Sequence, residues 1–380
     1  MLVPTNTDSI ALSSLIGTPY NYWGDDDGDG QGIDGITATG SLNLSIVNRW
    51  NQPVSRNEVL TSCNSPYKLT LSNSDGILKT RYGVPNESRF NAGNVTYYIK
   101  PKPSPVLCFV RVASINEVVG LSDAVWISGK GYLPQSFTPS SYGLNFPTTG
   151  ANNLYFSLHI YDYNYNQPLS WAPVSHGGIT ATITGTENAI IKVTLTGPVV
   201  TDSNQWKSTS PDRIDKPSLP QTFELVGRDS SGNAVVKYGF VLKQWFVNRG
   251  DYRSTYSSTE SWCNKIGGYR VPRVRDLTNA TCQGYWSDGE YECQGVVGAT
   301  PSSPDNRVSR HIGAGFFTEW ADMGSYRYAS GDNRGRSNFV HGNYWTQDRV
   351  GSRFFHVTAY AGSTSRNYSR ADRLGLCVYP

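Results

Sequence analysis

Methionine and charge are the scarcities that exclude most. Only two methionines occur in 380 residues, and Asp, Glu, Lys and Arg together make up 17%. Long Ala/Leu/Glu/Lys stretches are missing too, which argues against extended helices and against a helical cytosolic enzyme. No apolar run approaches the roughly 18–20 residues of a membrane helix, and the start Met1-Leu2-Val3-Pro4 has no basic region of a secretion signal. The five histidines (His159, His176, His311, His341, His356) show no metal-ligand spacing, and nothing reads as a phosphate-binding loop or a nucleophile elbow. Gly227-Arg-Asp-Ser-Ser-Gly232 is better explained as a hairpin turn than as a serine-protease loop. No enzyme is expected. No Lys/Arg cluster is dense enough to argue for nucleic acid.

What is abundant is Gly, Ser, Thr, Asn and Tyr, the composition of a β-rich surface protein. At 380 residues the prior is two or three domains. The six cysteines separate by region, with Cys63 and Cys108 in the first third and Cys263, Cys282, Cys293 and Cys377 after residue 260. Six cysteines allow fifteen pairings, so sequence leaves the connectivity open. The expected set is Cys63–Cys108, Cys263–Cys377 and Cys282–Cys293; the alternative is six thiols in a reducing compartment. Closing the long C-terminal loop contributes about 4–5 kcal/mol in the chain-entropy model, and the short one about 3. With disulfides formed, the chain is expected to be an excised piece of a longer exported protein, Met1 being a cloning start.

Net charge is +3 but unevenly placed. Residues 1–238 hold 16 Lys and Arg against 18 Asp and Glu, whereas residues 239–380 hold 17 against 12, and 15 of those 17 cations are arginine. Arginine has a planar multi-donor head and is enriched at interfaces where lysine is depleted. The plainer reading is a solvated basic face.

Short alternating strands separated by Gly, Pro, Asn and Ser run through Ala38–Trp50, Lys68–Ser72, Gly76–Tyr82, Val95–Lys100 and Val106–Val112, which suggests a sandwich over 1–133. The polar stretch 134–150 is a plausible boundary. A second β set over 134–238 follows, with strands at Leu154–Tyr161, Ile179–Thr184, Ala189–Leu195, Thr222–Val226 and Val235–Val247. From 239 to 380 the grammar changes. Ser257-x-x-Glu260 reads as a capping box for a helix over Glu260–Ile266, stopped by Gly267-Gly268. Pro272 favours a second helix over Val274–Ala280, and strands close the chain at Tyr344–Thr346, Phe354–Tyr360 and Leu374–Tyr379.

This α+β plan carries Trp262-Cys263, Gly268-Tyr269-Arg270-Val271-Pro272 with Asp276-Leu277-Thr278, Phe316-Phe317-Thr318-Glu319-Trp320, Tyr344-Trp345-Thr346 and Leu376-Cys377-Val378-Tyr379. In these it resembles a C-type lectin-like domain, specifically the tips of intimin/invasin-family adhesins, the inverse autotransporters. Upstream, Leu2-Val3-Pro4-Thr5 through Asn21-Tyr22-Trp23-Gly24 and Lys243-Gln244-Trp245-Phe246-Val247-Asn248 look like the adhesion region of SinH-like members. The resemblance implies a mostly β chain: two Ig-like β-sandwich regions followed by an α+β C-type lectin-like domain. It also implies attachment to a host-cell surface protein or glycan receptor, display on a Gram-negative cell surface by export through the outer membrane, and membrane contact only through an N-terminal barrel absent from this sequence.

Four candidate sites follow. Sugar-binding lectins of this class hold calcium through Glu-Pro-Asn or Gln-Pro-Asp loops and a Trp-Asn-Asp strand; none of these occurs after residue 239, so protein contacts are favoured over calcium-dependent sugar binding. Arg249-Gly250-Asp251 is the integrin-type tripeptide, a cation and a carboxylate splayed by glycine, set just after a strand expected to end near Val247; the plain alternative is a strand-to-helix turn. Asp25, Asp27 and Asp29 alternate with Gly30 in sixth place, like the first half of a calcium loop. Ile36 stands where the twelfth-position acid belongs, leaving Asp34 as the substitute, and an acidic solvated turn as the bland reading. The loop Gly324–Gly342, with Tyr326, Arg327, Tyr328, Arg334 and Arg336, is polar and glycine-rich and is the expected receptor-facing loop. The tip's tryptophans Trp262, Trp320 and Trp345 are expected in the core. The runner-up function is a carbohydrate-binding module stacking exposed aromatics on sugar rings.

Overall fold

Strands with period-two burial build most of this chain. Leu154–Tyr161 buries every second side chain from Leu154 to Ile160, and Ile190–Thr196 alternates in the same way, so each strand gives one face to a core. A computed structural model describes all residues except 1–5, 17–19, 21, 23–34, 82, 103, 115–118, 162–167, 186–189, 285–289, 321 and 327–336. The chain is mostly β. It divides into two compact units, Met1–Val106 and Leu107–Pro380.

The first unit holds two antiparallel sheets. One has four strands in the order Ser9–Ala11, Ser41–Val47, Tyr67–Asn73 and Gly93–Ile99; the other has Ile36–Ala38, Gly76–Thr80 and Glu87–Phe90. Their shared core is small: Ile10, Leu12, Leu15, Ala38 and Leu44 are buried, with Leu69, Leu71, Leu78 and Phe90 packed half-buried against them. Gly76 is glycine because an added Cβ would lie 2.3 Å from the Phe90 ring.

In the second unit a seven-stranded sheet runs in the order Val174–His176, Ile179–Gly185, Ile190–Thr196, Leu154–Tyr161, Val106–Val112, Gly131–Tyr132 and Trp126–Ile127. A three-stranded sheet of Ser170–Trp171, Gln221–Arg228 and Ala234–Leu242 faces it. Between them Phe223 stacks on Phe240 at 5.2 Å, and Phe156 meets Phe240 edge-on at 5.7 Å. The chain then enters a six-stranded sheet, ordered Thr149–Ala151, Gln244–Ser254, Arg373–Tyr379, Asn343–Val350, Arg353–Thr358 and Thr364–Tyr368. Thr149–Ala151 pairs parallel with Gln244–Phe246 and leads within three residues into Leu154 of the seven-stranded sheet. One hydrophobic core therefore runs from Leu107 to Val378.

Helices are short. Tyr256–Lys265 is capped by Thr255, whose Oγ1 accepts from Ser258 N at 3.4 Å. The expected cap at Ser257 lies two residues too late, because Tyr256 already turns inward to stack on Phe354 at 3.8 Å. Val274–Leu277 ends three residues earlier than the expected Ala280. Among the described residues no helix is long and apolar enough to cross a membrane; this says nothing of strands.

Candidate functional site

The C-terminal part is held by covalent and buried polar ties that fix what it can present. Cys263, on the helix Tyr256–Lys265, bonds to Cys377 on the closing strand Arg373–Tyr379 with a Cα separation of 5.4 Å, and Cys282 bonds to Cys293. Cys63 and Cys108 are disulfide-bonded as well, so no cysteine is free. Trp262, Trp320 and Trp345 are all buried. The short helix Phe316–Trp320 is anchored through Glu319, which is fully buried. Its carboxylate accepts from Thr148 N and Oγ1, Thr149 N and Oγ1, and Gly313 N at 2.5–3.1 Å. Burial pushes its pKa up and these donors pull it down. Beside it, buried Arg310 donates to the Phe317 and Thr318 carbonyls, and its guanidinium lies 5.5 Å from the Trp126 ring.

The integrin-type tripeptide lies inside a strand rather than after one, since Gln244–Ser254 continues well past Val247. The register shifts between Asn248 and Arg253, and Gly250 adopts φ +66°, so the strand bulges instead of ending. Gly250 is pinned there: a Cβ would lie 2.3 Å from the Trp206 ring. Arg249 turns inward at 2% exposure. Its Nε donates to Trp206 O at 2.6 Å, and its Nη1 to Ser254 Oγ and Ser258 Oγ at 3.1 and 3.2 Å. The guanidinium also lies over the Tyr252 and Trp262 rings at 4.9 and 5.2 Å, and burial holds its pKa down to about 10. Asp251 is exposed. The tripeptide thus offers a carboxylate to solvent but not the splayed pair expected of it.

Tyr326 also departs from expectation. It is enclosed at 0% exposure, its hydroxyl donating to Trp320 O at 2.9 Å and accepting from Ala113 N at 3.2 Å. The aromatic pocket around Trp320 and Tyr155 draws its ring in, so Tyr326 is a core residue, not a surface contact. Arg327, Tyr328, Arg334 and Arg336 lie outside the described residues, as do the calcium candidates Asp25, Asp27, Asp29 and Asp34.

The side chains the fold does bring together at the surface are on the outer hairpin of the six-stranded sheet. Arg353 is directly opposite Tyr368. Its Nη2 donates to the Tyr368 hydroxyl at 3.2 Å and its guanidinium sits 4.7 Å from that ring, with Arg370 at 5.5 Å. Tyr368 is 44% exposed. The hydrogen bond from Arg353 and the charges of Arg353 and Arg370 lower its phenol pKa. Arg349, also exposed, lies 5.7 Å from the Phe354 ring, and Tyr360 is 45% exposed. That Arg353 and Arg370 flank one ring is not visible in the sequence. The available signal was the arginine density after residue 239; the cross-strand register that assembles the cluster was not in it.

No protein-family model and no curated protein matches the sequence. Among solved structures, the chain is similar to invasin, a bacterial integrin-binding protein, with a TM-score of 0.42 and 12% identity over 90% of this chain and 51% of that one. It spans about half the length of that structure. It is similar to a C-terminal 282-residue fragment of intimin, solved with the translocated intimin receptor's intimin-binding domain, at a TM-score of 0.35 and 14% identity over 90% and 98% of the two chains. An intimin mutant of EHEC O157:H7 gives 0.32 and 12% over 68% and 94%.

Proposed function

We propose that this chain is part of a bacterial surface adhesin whose closing α+β part, of C-type lectin-like plan, docks without chemistry onto a protein receptor of the host cell. In this reading residues 1–133 are a β-sandwich-like adhesion region, 134–238 a second β-sandwich-like region, and 239–380 the C-type lectin-like tip. The observation that carries the proposal is the exposed Arg353–Tyr368–Arg370 cluster on a disulfide-closed frame. Tyr and Arg dominate binding hot spots, and a frame already closed lowers the ordering cost of binding. Arg327, Tyr328, Arg334 and Arg336 of the Gly324–Gly342 loop are proposed as further receptor contacts.

The test is attachment of the whole chain to intact, protease-treated and deglycosylated cells. Binding is expected to vanish after protease, to survive deglycosylation, and to weaken at least about tenfold in Arg353→Glu/Arg370→Glu. Binding that the double variant retains at full strength, or that only deglycosylation removes, sinks the reading.

A further inference from the structure

The four-stranded sheet of the first unit ends on Gly93–Ile99, the outermost strand among the described residues. Natural edge strands are kept apart by charge, proline or brevity. This one has none of the three. It is seven residues long, and from Phe90 to Ile99 there is no charged residue and no proline. Val95 is 45% exposed, Tyr97 53% and Tyr98 71%.

The exposure follows from how the apolar rows cross the sheet. On one face Leu44 lies beside Leu71 and Leu71 beside Val95; Ile46 lies beside Leu69 and Leu69 beside Tyr97. Leu44 is buried at 2%, Leu71 is half-buried, and Val95 is open. The rows continue past the end of the core, because the facing sheet has three strands where this one has four. An edge whose main chain has no strand partner among the described residues, and whose apolar rows are unfinished, is completed by one more strand.

We propose that this strand is the Gly93–Ile99 of a second copy of the chain, antiparallel to the first and centred on Thr96. That register is self-complementary. Val95 faces the second copy's Tyr97, Tyr97 faces its Val95, and Tyr98 faces its Asn94. Aromatic with β-branched is a favoured cross-strand pair, and no like charges meet. The pairing is isologous, so it closes at two copies. Open-ended growth is blocked because the sheet's other edge, Ser9–Ala11, has only three residues. A strand-sized contact makes a weak dimer, suited to copies crowded together rather than dilute. This site lies in the first unit, whereas the proposed receptor contacts belong to the second.

The test is sedimentation velocity of the full chain across about 5–500 µM, the range a small interface requires. A reversible dimer is expected. Val95→Lys/Tyr97→Lys sets lysines opposite lysines, and Val95→Glu/Tyr97→Glu sets acids opposite acids; each alone is expected to weaken dimerisation at least tenfold with an unchanged melting temperature. Mixed together, they are expected to form a heterodimer. Should either pair of exposed substitutions lower the melting temperature, Thr96→Cys replaces it, since Thr96 meets its own copy. Mild oxidation is expected to cross-link Thr96→Cys between copies but not Asn94→Cys. A wild-type chain that stays monomeric to the top of the range, charge variants that dimerise like wild type, or a Thr96→Cys chain that fails to cross-link overturns the proposal.

Discussion

Arg249 and Asp251 sit two positions apart in opposite surroundings. Arg249 makes three hydrogen bonds and two ring contacts while shut away from water, and Asp251 faces solvent. Truncating the arginine leaves Trp206 O and two hydroxyls short of a donor and opens a gap under Trp262. Arg249→Ala is expected to cost about 2–4 kcal/mol, whereas Asp251→Ala stays within about 0.5. Urea unfolding of both variants checks this, and equal effects would contradict the assigned burial. The tripeptide itself was plain in the sequence, but its partner Trp206 lies 43 residues earlier, and no local pattern announces that approach. Tyr326 failed to be legible for the same reason. Its flanking glycines and arginines look like loop, while its ring answers to Trp320 and Tyr155.

At the scale of elements, periodicity was a good guide and termini were not. The closing strands overlap the expected ones, as Asn343–Val350, Arg353–Thr358 and Arg373–Tyr379. Gln244–Ser254 ran past its expected end because Gly250 reads as a breaker in sequence but serves as a bulge, which needs the positive φ only glycine takes easily. One strand also carries a pH liability. His356 in Arg353–Thr358 is buried, its Nδ1 has no hydrogen-bond partner among the described residues, and burial together with the nearby Arg373 charge brings its pKa down to about 4. In the unfolded chain it titrates near its ordinary value of 6.5. The unfolded state therefore binds the extra proton, and the stability tied to neutral His356 is complete above about pH 6.5 and lost as pH falls toward 4. The shift corresponds to about 3 kcal/mol. His356→Gln is expected to flatten the stability-versus-pH curve over that window by about one proton relative to wild type. A variant with an unchanged slope would show that the imidazole is already charged in the fold.

For the whole molecule, composition indicated a β-rich chain, and the structure is mostly β. The expected divisions after 133 and 238 follow shifts in composition, whereas the two compact units, Met1–Val106 and Leu107–Pro380, follow packing. Core continuity sets that boundary, and it depends on which side chains interleave across sheets. Glu319 shows why this could not be read. Within Phe316–Trp320 it looks like one more polar residue, yet five groups from Thr148, Thr149 and Gly313 converge on it and tie that helix to the edge strand Thr149–Ala151 of the six-stranded sheet.

The Cys263–Cys377 bond has a mechanical side. A chain under tension fails by paying out length. The bond spans 114 residues, which fully extended would release about 380–410 Å. Ruptured under load, that segment stays a closed loop and lengthens the tether by none of this. In single-molecule pulling across residues 107–380, the oxidised chain is expected to show a contour-length gain shorter by about that amount than the reduced chain. The bond therefore does more than stabilise: it limits how far the folded part can pay out under tension.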